Sequence, residues 1–196
     1  MGHLELTVSS AAMACMDNHC LLTGGKAVSG TERGKARDAT FGCNFNVFSS
    51  NVAYTWDHYG MLETARYDHS AVMIPHPWDA AERPRLTIVC GGKDDSGRIL
   101  DSCEYSEKRL GERKTWARLA PMIRQRSSFG LAYFNGTLYA MGGQGDASDP
   151  SACDDISEGL LKSIEKFDFA TRNWTILEGD NYEMHMGMAG FGTAIL

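Results

Sequence analysis

Short apolar runs separated by polar turns recur along the chain, and three of them end in a pair of glycines. The three are CLLTGG at 20–25, TIVCGG at 87–92 and LYAMGG at 138–143. Each follows another apolar run: AMACM at 12–16, HSAVMI at 69–74 and FGLAYF at 129–134. Runs of this length bounded by turn residues are typical of β-strands. The pattern therefore predicts that each of three repeats begins with a β-hairpin.

The remaining residues of each repeat also follow a common order of turn, loop and aromatic positions. Between the third pair of runs lies Asn135-Gly136, the dipeptide most favoured in two-residue hairpin turns because both positions adopt positive φ. After each glycine pair come a polar loop, an aromatic strand and a tryptophan. The tryptophans are Trp56, Trp116 and Trp174, spaced 60 and 58 residues apart. Four strands per repeat are therefore predicted, with the tryptophan at the end of the aromatic stretch.

Four short strands per repeat, without helical periodicity, indicate an all-β protein built from propeller blades. The apolar run, the glycine pair and the later aromatic and tryptophan together resemble the kelch repeat. The resemblance implies a kelch-type β-propeller, here an incomplete ring of about three four-stranded blades plus one strand of a fourth. We predict a single partial propeller spanning 1–196, with blades at 9–62, 66–121 and 126–179 and a fourth beginning at 184–196.

The repeated glycines and tryptophans are interpreted as structural. Paired glycines at a strand end allow the backbone to bend and a neighbour to approach closely. Large aromatic side chains fill the space between successive sheets. The residues assigned to this motif are Gly24, Gly25, Gly91, Gly92, Gly142, Gly143, Trp56, Trp116 and Trp174.

Strand direction puts the loops after the glycine pairs and the connections between blades on one side, called here the loop face. It comprises 26–40, 93–98, 144–159, 57–68, 120–128 and 178–190. Irregular loops on a rigid scaffold often carry binding function. Arg66 and Arg126 occupy matching positions in two connections, and the kelch resemblance implies that such arginines contact acidic peptides. The alternative is that both pair internally with carbonyl groups or carboxylates.

Four neighbours of these arginines are expected to share the same role: Tyr67, His69, Ser127 and Ser128. The resemblance implies a non-enzymatic protein-interaction module that recognises ubiquitin-ligase substrates or binds the cytoskeleton. The alternative is a kelch-like sugar-modifying enzyme of the sialic-acid mutarotase or galactose-oxidase type. That enzyme would bring Arg66, His69, Arg126 and Glu183 together at the mouth of the channel.

Net charge and composition limit the classes of partner that we expect this chain to bind. With 19 Lys+Arg against 25 Asp+Glu, the net charge is −6, which disfavours nucleic acid. No apolar stretch approaches the roughly 18 residues of a membrane span. The six cysteines show neither CxxC nor zinc-type spacing, so we expect no metal and no cofactor. Cys20 and Cys90 lie in apolar runs and are interpreted as buried thiols, which favours a reducing, cytoplasmic location.

Ring closure is the open question, because propellers have about four to eight blades. One explanation is that the chain is part of a longer propeller. Another is a homodimer that closes a six-blade ring, with 191–196 adding a strand to the partner. A third is a marginally stable, aggregation-prone three-blade piece. The expected partner is in each case a protein or peptide.

Overall fold

The computed structural model describes residues 7–44, 56–77, 85–108, 115–146, 159–178, 184 and 186–190. These residues form fourteen β-strands and no helix. The strands are β1 Val8–Ser9, β2 Ala12–Met16, β3 His19–Thr23, β4 Lys26–Ala27, β5 Ala39–Asn44, β6 Trp56–Met61, β7 Ser70–Pro75, β8 Arg85–Cys90, β9 Cys103–Lys108, β10 Ala117–Leu119, β11 Gly130–Phe134, β12 Thr137–Met141, β13 Ile164–Asp168 and β14 Asn173–Ile176.

Each repeat forms one antiparallel sheet of four strands. The orders are β2-β3-β5-β6, β7-β8-β9-β10 and β11-β12-β13-β14, and β1 pairs with β4 outside these sheets. Consecutive strands are neighbours, so every sheet is an up-and-down meander, which is the topology of a propeller blade. The first strands β2, β7 and β11 contact one another in turn. The all-β, incompletely closed propeller predicted from the repeats is confirmed, whereas the domain boundaries stay a prediction.

The hairpin and tryptophan positions refine the sequence-based picture. Asn135 and Gly136 have φ of 46° and 79°, as the two-residue turn requires. Trp56 is the first residue of β6 and Trp174 the second of β14, so the tryptophan begins the fourth strand instead of ending the third. Because β6 continues to Met61, the connection between the first two blades is shorter than predicted.

Apolar side chains fill the space between successive sheets. Between the first and second sheets, Leu21 and Tyr59 pack with Val89 and Trp116. Between the second and third sheets, a larger cluster includes Phe167 and Trp174 on the third sheet. Trp116 and Trp174 are only 7% and 6% exposed, as expected for residues wedged between blades.

The first sheet also has an open face, made of the side chains that point away from the second sheet. Alternation along the strands assigns to it Met13, Cys15, Cys20, Leu22, Phe41, Cys43 and Trp56. Met13 is 59% exposed and Trp56 is only half-buried, unlike its two counterparts. Cys20 and Cys43 on the same face are nevertheless buried, at 6% and 0% exposed, so the face is only partly open.

A row of backbone hydrogen bonds joins the start of one repeat to the start of the next. The amide of Asp68 donates to the carbonyl of Ser10 at 3.0 Å, Ser128 donates to Asp68 at 2.7 Å, and Gly190 donates to Ser128 at 2.7 Å. All four residues have positive φ, between 51° and 75°. Gly190 therefore continues the series into a fourth repeat, although the predicted strand at 191–196 lies outside the described residues.

The first glycine of each pair lies against the connection to the next blade. Gly91 has φ of 64°, and a Cβ added there would lie 2.3 Å from the carbonyl oxygen of Arg126. At Gly24 the corresponding distance to the carbonyl oxygen of Arg66 is 2.5 Å. Positive φ and close approach both exclude a side chain, in agreement with the structural interpretation of these glycines.

The expectation of reduced thiols at Cys20 and Cys90 is wrong in this structure. Cys20 forms a disulfide with Cys15, and Cys90 forms one with Cys103. Each pair occupies directly opposed positions on neighbouring strands, which brings the Cα atoms to 4.1 Å. Spacing along the chain did not reveal the pairs, because strand register alone sets these cysteines opposite one another.

Candidate ligand-binding face

Arg66 is fully buried, and its guanidinium group is bonded inside the protein. It donates to the carbonyl oxygens of Gly91 and Ser102 at 2.8 and 3.0 Å. It also pairs with a carboxylate oxygen of Glu104 at 2.6 Å, and that side chain is only 2% exposed. Glu104 in turn accepts the amides of Glu63 and Thr64. The pair thus attaches the connection before the second blade to that blade's third strand.

Arg126 repeats this arrangement one blade later. Its guanidinium donates to the carbonyl oxygens of Gly142 and Ser163 at 2.7 and 3.0 Å and pairs with Glu165 at 3.0 Å. Both members of the pair are 0% exposed. The prediction that Arg66 and Arg126 contact a ligand is therefore corrected, because a guanidinium without surface cannot meet a peptide. Both arginines instead pair with buried glutamates, which is the internal pairing that the sequence left open as the alternative.

His69 is also inside the protein, between the first and second blades. Its Nε2 lies 2.9 Å from the hydroxyl of Thr23, and the residue is 7% exposed. Burial, together with the positive charge of Arg66, lowers the pKa of His69 to about 3, so the ring is neutral at physiological pH. His69 therefore offers neither charge nor surface to a ligand, and it does not meet Arg126 at a channel mouth.

The remaining predicted residues divide between interior and surface. Ser127 is 0% exposed, and its amide bonds to the carbonyl of Gln144. Ser128 and Tyr67 are half-buried. Of the six predicted contacts, Tyr67 presents the largest side chain to the loop face. Glu183 lies outside the described residues.

The polar residue directly after each glycine pair is the feature that sequence reasoning missed. These residues are Lys26, Lys93 and Gln144, and each pairs through isolated bridges with the connection before its blade and with its own loop. The Nζ of Lys26 lies 4.5 Å from the centroid of the Tyr67 ring, and the Nζ of Lys93 donates to Gln144 Oε1 at 3.0 Å. The three side chains thus reach from blade to blade across the loop face.

Beside Lys93 is a cavity of about 290 Å³. Its lining includes Arg98, Ile99, Gln144 and Asp146. Within the part of the chain that the structure describes, no carboxylate lies within 4.0 Å of the Nζ of Lys26 or of Lys93. The loop face therefore combines two lysines without acidic partners, an aromatic ring and a recess.

Among the described residues, no group of three or more His, Cys, Asp or Glu side chains is placed to hold a metal ion. In those same segments, no helix is long and apolar enough to cross a membrane.

Comparisons with known proteins agree with the repeat pattern. The family model described as the Kelch motif matches residues 125–179. Alpha-scruin of Limulus polyphemus is 37% identical over 137 residues, which is 68% of this chain and 13% of that protein. An F-box/kelch-repeat protein of Arabidopsis thaliana is 28% identical over 138 residues, 68% of this chain and 30% of its own length. The chain thus spans less than a third of the curated relatives it matches.

The fold comparison points to the same class. The solved structure of YjhT superposes with a TM-score of 0.63 at 16% identity, covering 95% of this chain and 54% of that one. Sheet topology, inter-blade packing and this similarity define a protein of the β-propeller class. Within that class, the chain belongs to the kelch-repeat family, as its glycine pairs, its tryptophans and the matched motif together establish.

Proposed function

We propose that the chain is a protein-interaction module that binds an acidic peptide segment on the loop face, by binding and not by catalysis. The proposal rests on two lysines, Lys26 and Lys93, each of which directly follows a glycine pair. Among the described residues, neither lysine has a carboxylate partner. Membership of the kelch-repeat family supports a role in protein interaction. The proposed module could serve either to recognise substrates for ubiquitin ligation or to bind the cytoskeleton.

The chemistry of the loop face fits a carboxylate-bearing ligand. A lysine ammonium group presents three donors, and in Lys93 one is directed to Gln144 Oε1, while no carboxylate of the described residues takes up the others. Lys26 lies over the ring of Tyr67, a cation–π contact that holds the ammonium group in place. The recess of about 290 Å³ beside Lys93 has room for a small side chain of the ligand. Arg98 at its rim is paired with Asp94 at 3.1 Å, so Lys93 is the cation offered to a carboxylate there.

The test measures the binding of a fluorescent peptide rich in Asp and Glu by fluorescence anisotropy. The double substitution Lys26→Gln with Lys93→Gln is expected to weaken binding by about tenfold or more, because a hydrogen bond to a charged group contributes about 1.5–3 kcal/mol and about 1.4 kcal/mol corresponds to tenfold in affinity. The wild-type affinity should also fall as salt is raised.

Lys166→Gln is the matched control, since Lys166 is an exposed lysine on β13, away from the loop face. It should leave the affinity unchanged. A peptide of the same length with the acidic residues replaced by Gln and Asn should not bind measurably. Equal affinities of the double variant and the wild type would remove the two lysines from the proposal, and absence of any acidic-peptide binding would end it.

We further propose that additional blades cover the outer faces of this three-blade unit, and that a second copy of the chain is able to supply them. The half-exposed Trp56 and the exposed Met13 lie where an adjacent blade packs in the other two repeats. The chain covers 54% of YjhT, so two copies approach the length of one such propeller. A cytoplasmic location stays a prediction.

A further inference from the structure

Three cysteines lie side by side on the open face of the first sheet. Cys15 on β2 is directly opposed to Cys20 on β3, and Cys20 is directly opposed to Cys43 on β5. Directly opposed residues of antiparallel strands point to the same side of the sheet. Since β3 lies between β2 and β5, the sulfur of Cys20 has Cys15 on one side and Cys43 on the other.

The three sulfurs are in different chemical states. Cys15 and Cys20 are joined in a disulfide, and Cys43 is a free thiol. Cys43 is 0% exposed and Cys20 is 6% exposed, whereas Cys15 is exposed to solvent. The free thiol is thus inside the protein, and the disulfide reaches the surface through Cys15.

From this arrangement we propose that, while the open face is uncovered, Cys15, Cys20 and Cys43 form a thiol–disulfide exchange site, at which Cys15 becomes the surface position modified by small disulfides or alkylating agents. In the exchange, the thiolate of Cys43 attacks the sulfur of Cys20. The Cys20–Cys43 bond forms, the Cys15–Cys20 bond breaks, and Cys15 leaves as a thiolate. Cys43 gives up a proton and Cys15 takes one up, so no external oxidant or reductant takes part.

The geometry favours this attack. A thiolate displaces a sulfur along the axis of the disulfide, from the side opposite the leaving atom. The order Cys43, Cys20, Cys15 across three adjacent strands provides that direction. The short 4.1 Å Cα separation of Cys15 and Cys20 is typical of a non-hydrogen-bonded pair, which makes Cys20 and Cys43 a hydrogen-bonded pair with Cα atoms about 5.5 Å apart.

That spacing lies within the Cα range of disulfides, roughly 4.4–6.8 Å. The Cβ atoms of such a pair are about 5 Å apart, so the exchange draws β3 and β5 together by about 1 Å. Charge favours the product side, because a thiolate is better solvated at the exposed Cys15 than at the buried Cys43. A surface Cys15 thiolate then attacks a small disulfide of the glutathione class, forming a mixed disulfide and releasing one thiol.

The rate should depend on pH. Burial raises the pKa of Cys43, and the nearby Asp57 raises it further. Only the thiolate attacks, so exchange should accelerate with increasing pH, approaching tenfold for each unit below that pKa.

The experiment uses the full chain with Cys153→Ser, because Cys153 lies outside the described residues and would add its own thiol. It is done at a concentration at which sedimentation shows a monomer, so that the open face is uncovered. The native protein is treated with N-ethylmaleimide without reductant at pH 7 to 9. After quenching and denaturation, non-reduced peptides are mapped by mass spectrometry. We expect the label on Cys15, together with a peptide pair linked through Cys20 and Cys43, in amounts that rise with pH.

The decisive comparison removes the attacking thiol. In the Cys43→Ser variant, Cys15 labelling should fall at least tenfold and the Cys15–Cys20 bond should stay intact. Serine is compatible with this position, since buried Ser106 occupies the equivalent place in the second sheet. Cys43→Ala should behave in the same way. The Cys90–Cys103 disulfide has no third cysteine opposite it and serves as the internal control.

Three results would overturn the proposal. One is label on Cys43 while Cys15–Cys20 is intact, which means that the buried thiol reacts directly. Another is equal Cys15 labelling with and without Cys43. The third is no label on Cys15 at any pH used.

Discussion

At the scale of single residues, burial decides what His69 does. The residue begins the second blade and lies against Gly24 of the first, where repeat three has Phe129 in the corresponding place before Gly130. Its ring keeps one hydrogen bond, to Thr23, and loses the rest of its hydration. The neutral form is therefore favoured in the folded state, and protonation of the ring destabilises the folded protein relative to the unfolded chain.

This predicts an acid-sensitive free energy of unfolding. The pKa of His69 is about 3 in the folded protein and near 6.5 in the unfolded chain, so the unfolded state binds more protons between those values. Stability should thus fall as pH drops from about 6.5 toward 3, by up to about 1.4 kcal/mol for each unit from this residue. Urea unfolding of the wild type and of His69→Phe, measured from pH 7 to 5, gives the part of the pH dependence of stability that is due to His69.

Phenylalanine is the suitable replacement, because Phe129 fills the equivalent site against Gly91. The free energy of unfolding of the variant should decrease less on acidification than that of the wild type, and the variant should remain folded at pH 7. If both proteins show the same slope of stability with pH, His69 does not titrate in the way described.

At the scale of elements, the buried arginine–glutamate pairs join each connection to the blade that follows it. Glu104 on β9 accepts two backbone amides of the connection and the guanidinium of Arg66. In the first blade, the position equivalent to Glu104 is occupied by Phe41. Phe41 lies opposite Leu22 of β3, just as Glu104 lies opposite Val89 of β8. The first blade thus has an apolar residue where the second blade has the buried carboxylate.

The pair predicts a non-additive response to mutation. Glu104→Phe leaves the charge of Arg66 buried without its carboxylate partner and should cost about 3–5 kcal/mol of unfolding free energy. Replacing both residues, as Arg66→Val with Glu104→Phe, should cost less than the single change, since no isolated charge remains. Chemical denaturation of the wild type, both single variants and the double variant measures the coupling. Additive losses would contradict a coupled pair.

At the scale of the whole molecule, three blades leave outer sheet faces in need of packing. Two of the three tryptophans are enclosed between sheets, and Trp56 is half-buried on the open face. The backbone hydrogen-bond row from Ser10 to Gly190 continues past the third blade. Both observations favour a ring that includes further blades.

Sedimentation should therefore detect self-association of the isolated chain, with a dimer as the expected species. Met13→Asp, which places a charge on the open face, should shift the protein toward monomer. Ile123→Asp is the control, because Ile123 is similarly exposed at 53% but belongs to a connection. A chain that is monomeric at high concentration and still unfolds cooperatively would refute closure by a second copy.

The repeats, the strands and the propeller class were predictable from the sequence, because they depend on local patterns. Glycine pairs, the Asn135-Gly136 turn and the aromatic spacing each report backbone conformation or strand period directly. The chain also carried a signal for the loop-face lysines, since a polar residue follows each glycine pair. That signal gained meaning only when Lys26 and Lys93 were found at equivalent positions in the structure.

Burial and lateral neighbours were decided by the tertiary structure. Arg66 and Arg126 look alike in the sequence whether they face solvent or an internal carboxylate, and the carboxylates lie 38 and 39 residues away along the chain. The cysteine row likewise depends on register, since Cys20 and Cys43 are adjacent only across β3 and β5. Local pattern fixes the period of a strand, but contacts between strands far apart in the chain arise only when the sheets assemble.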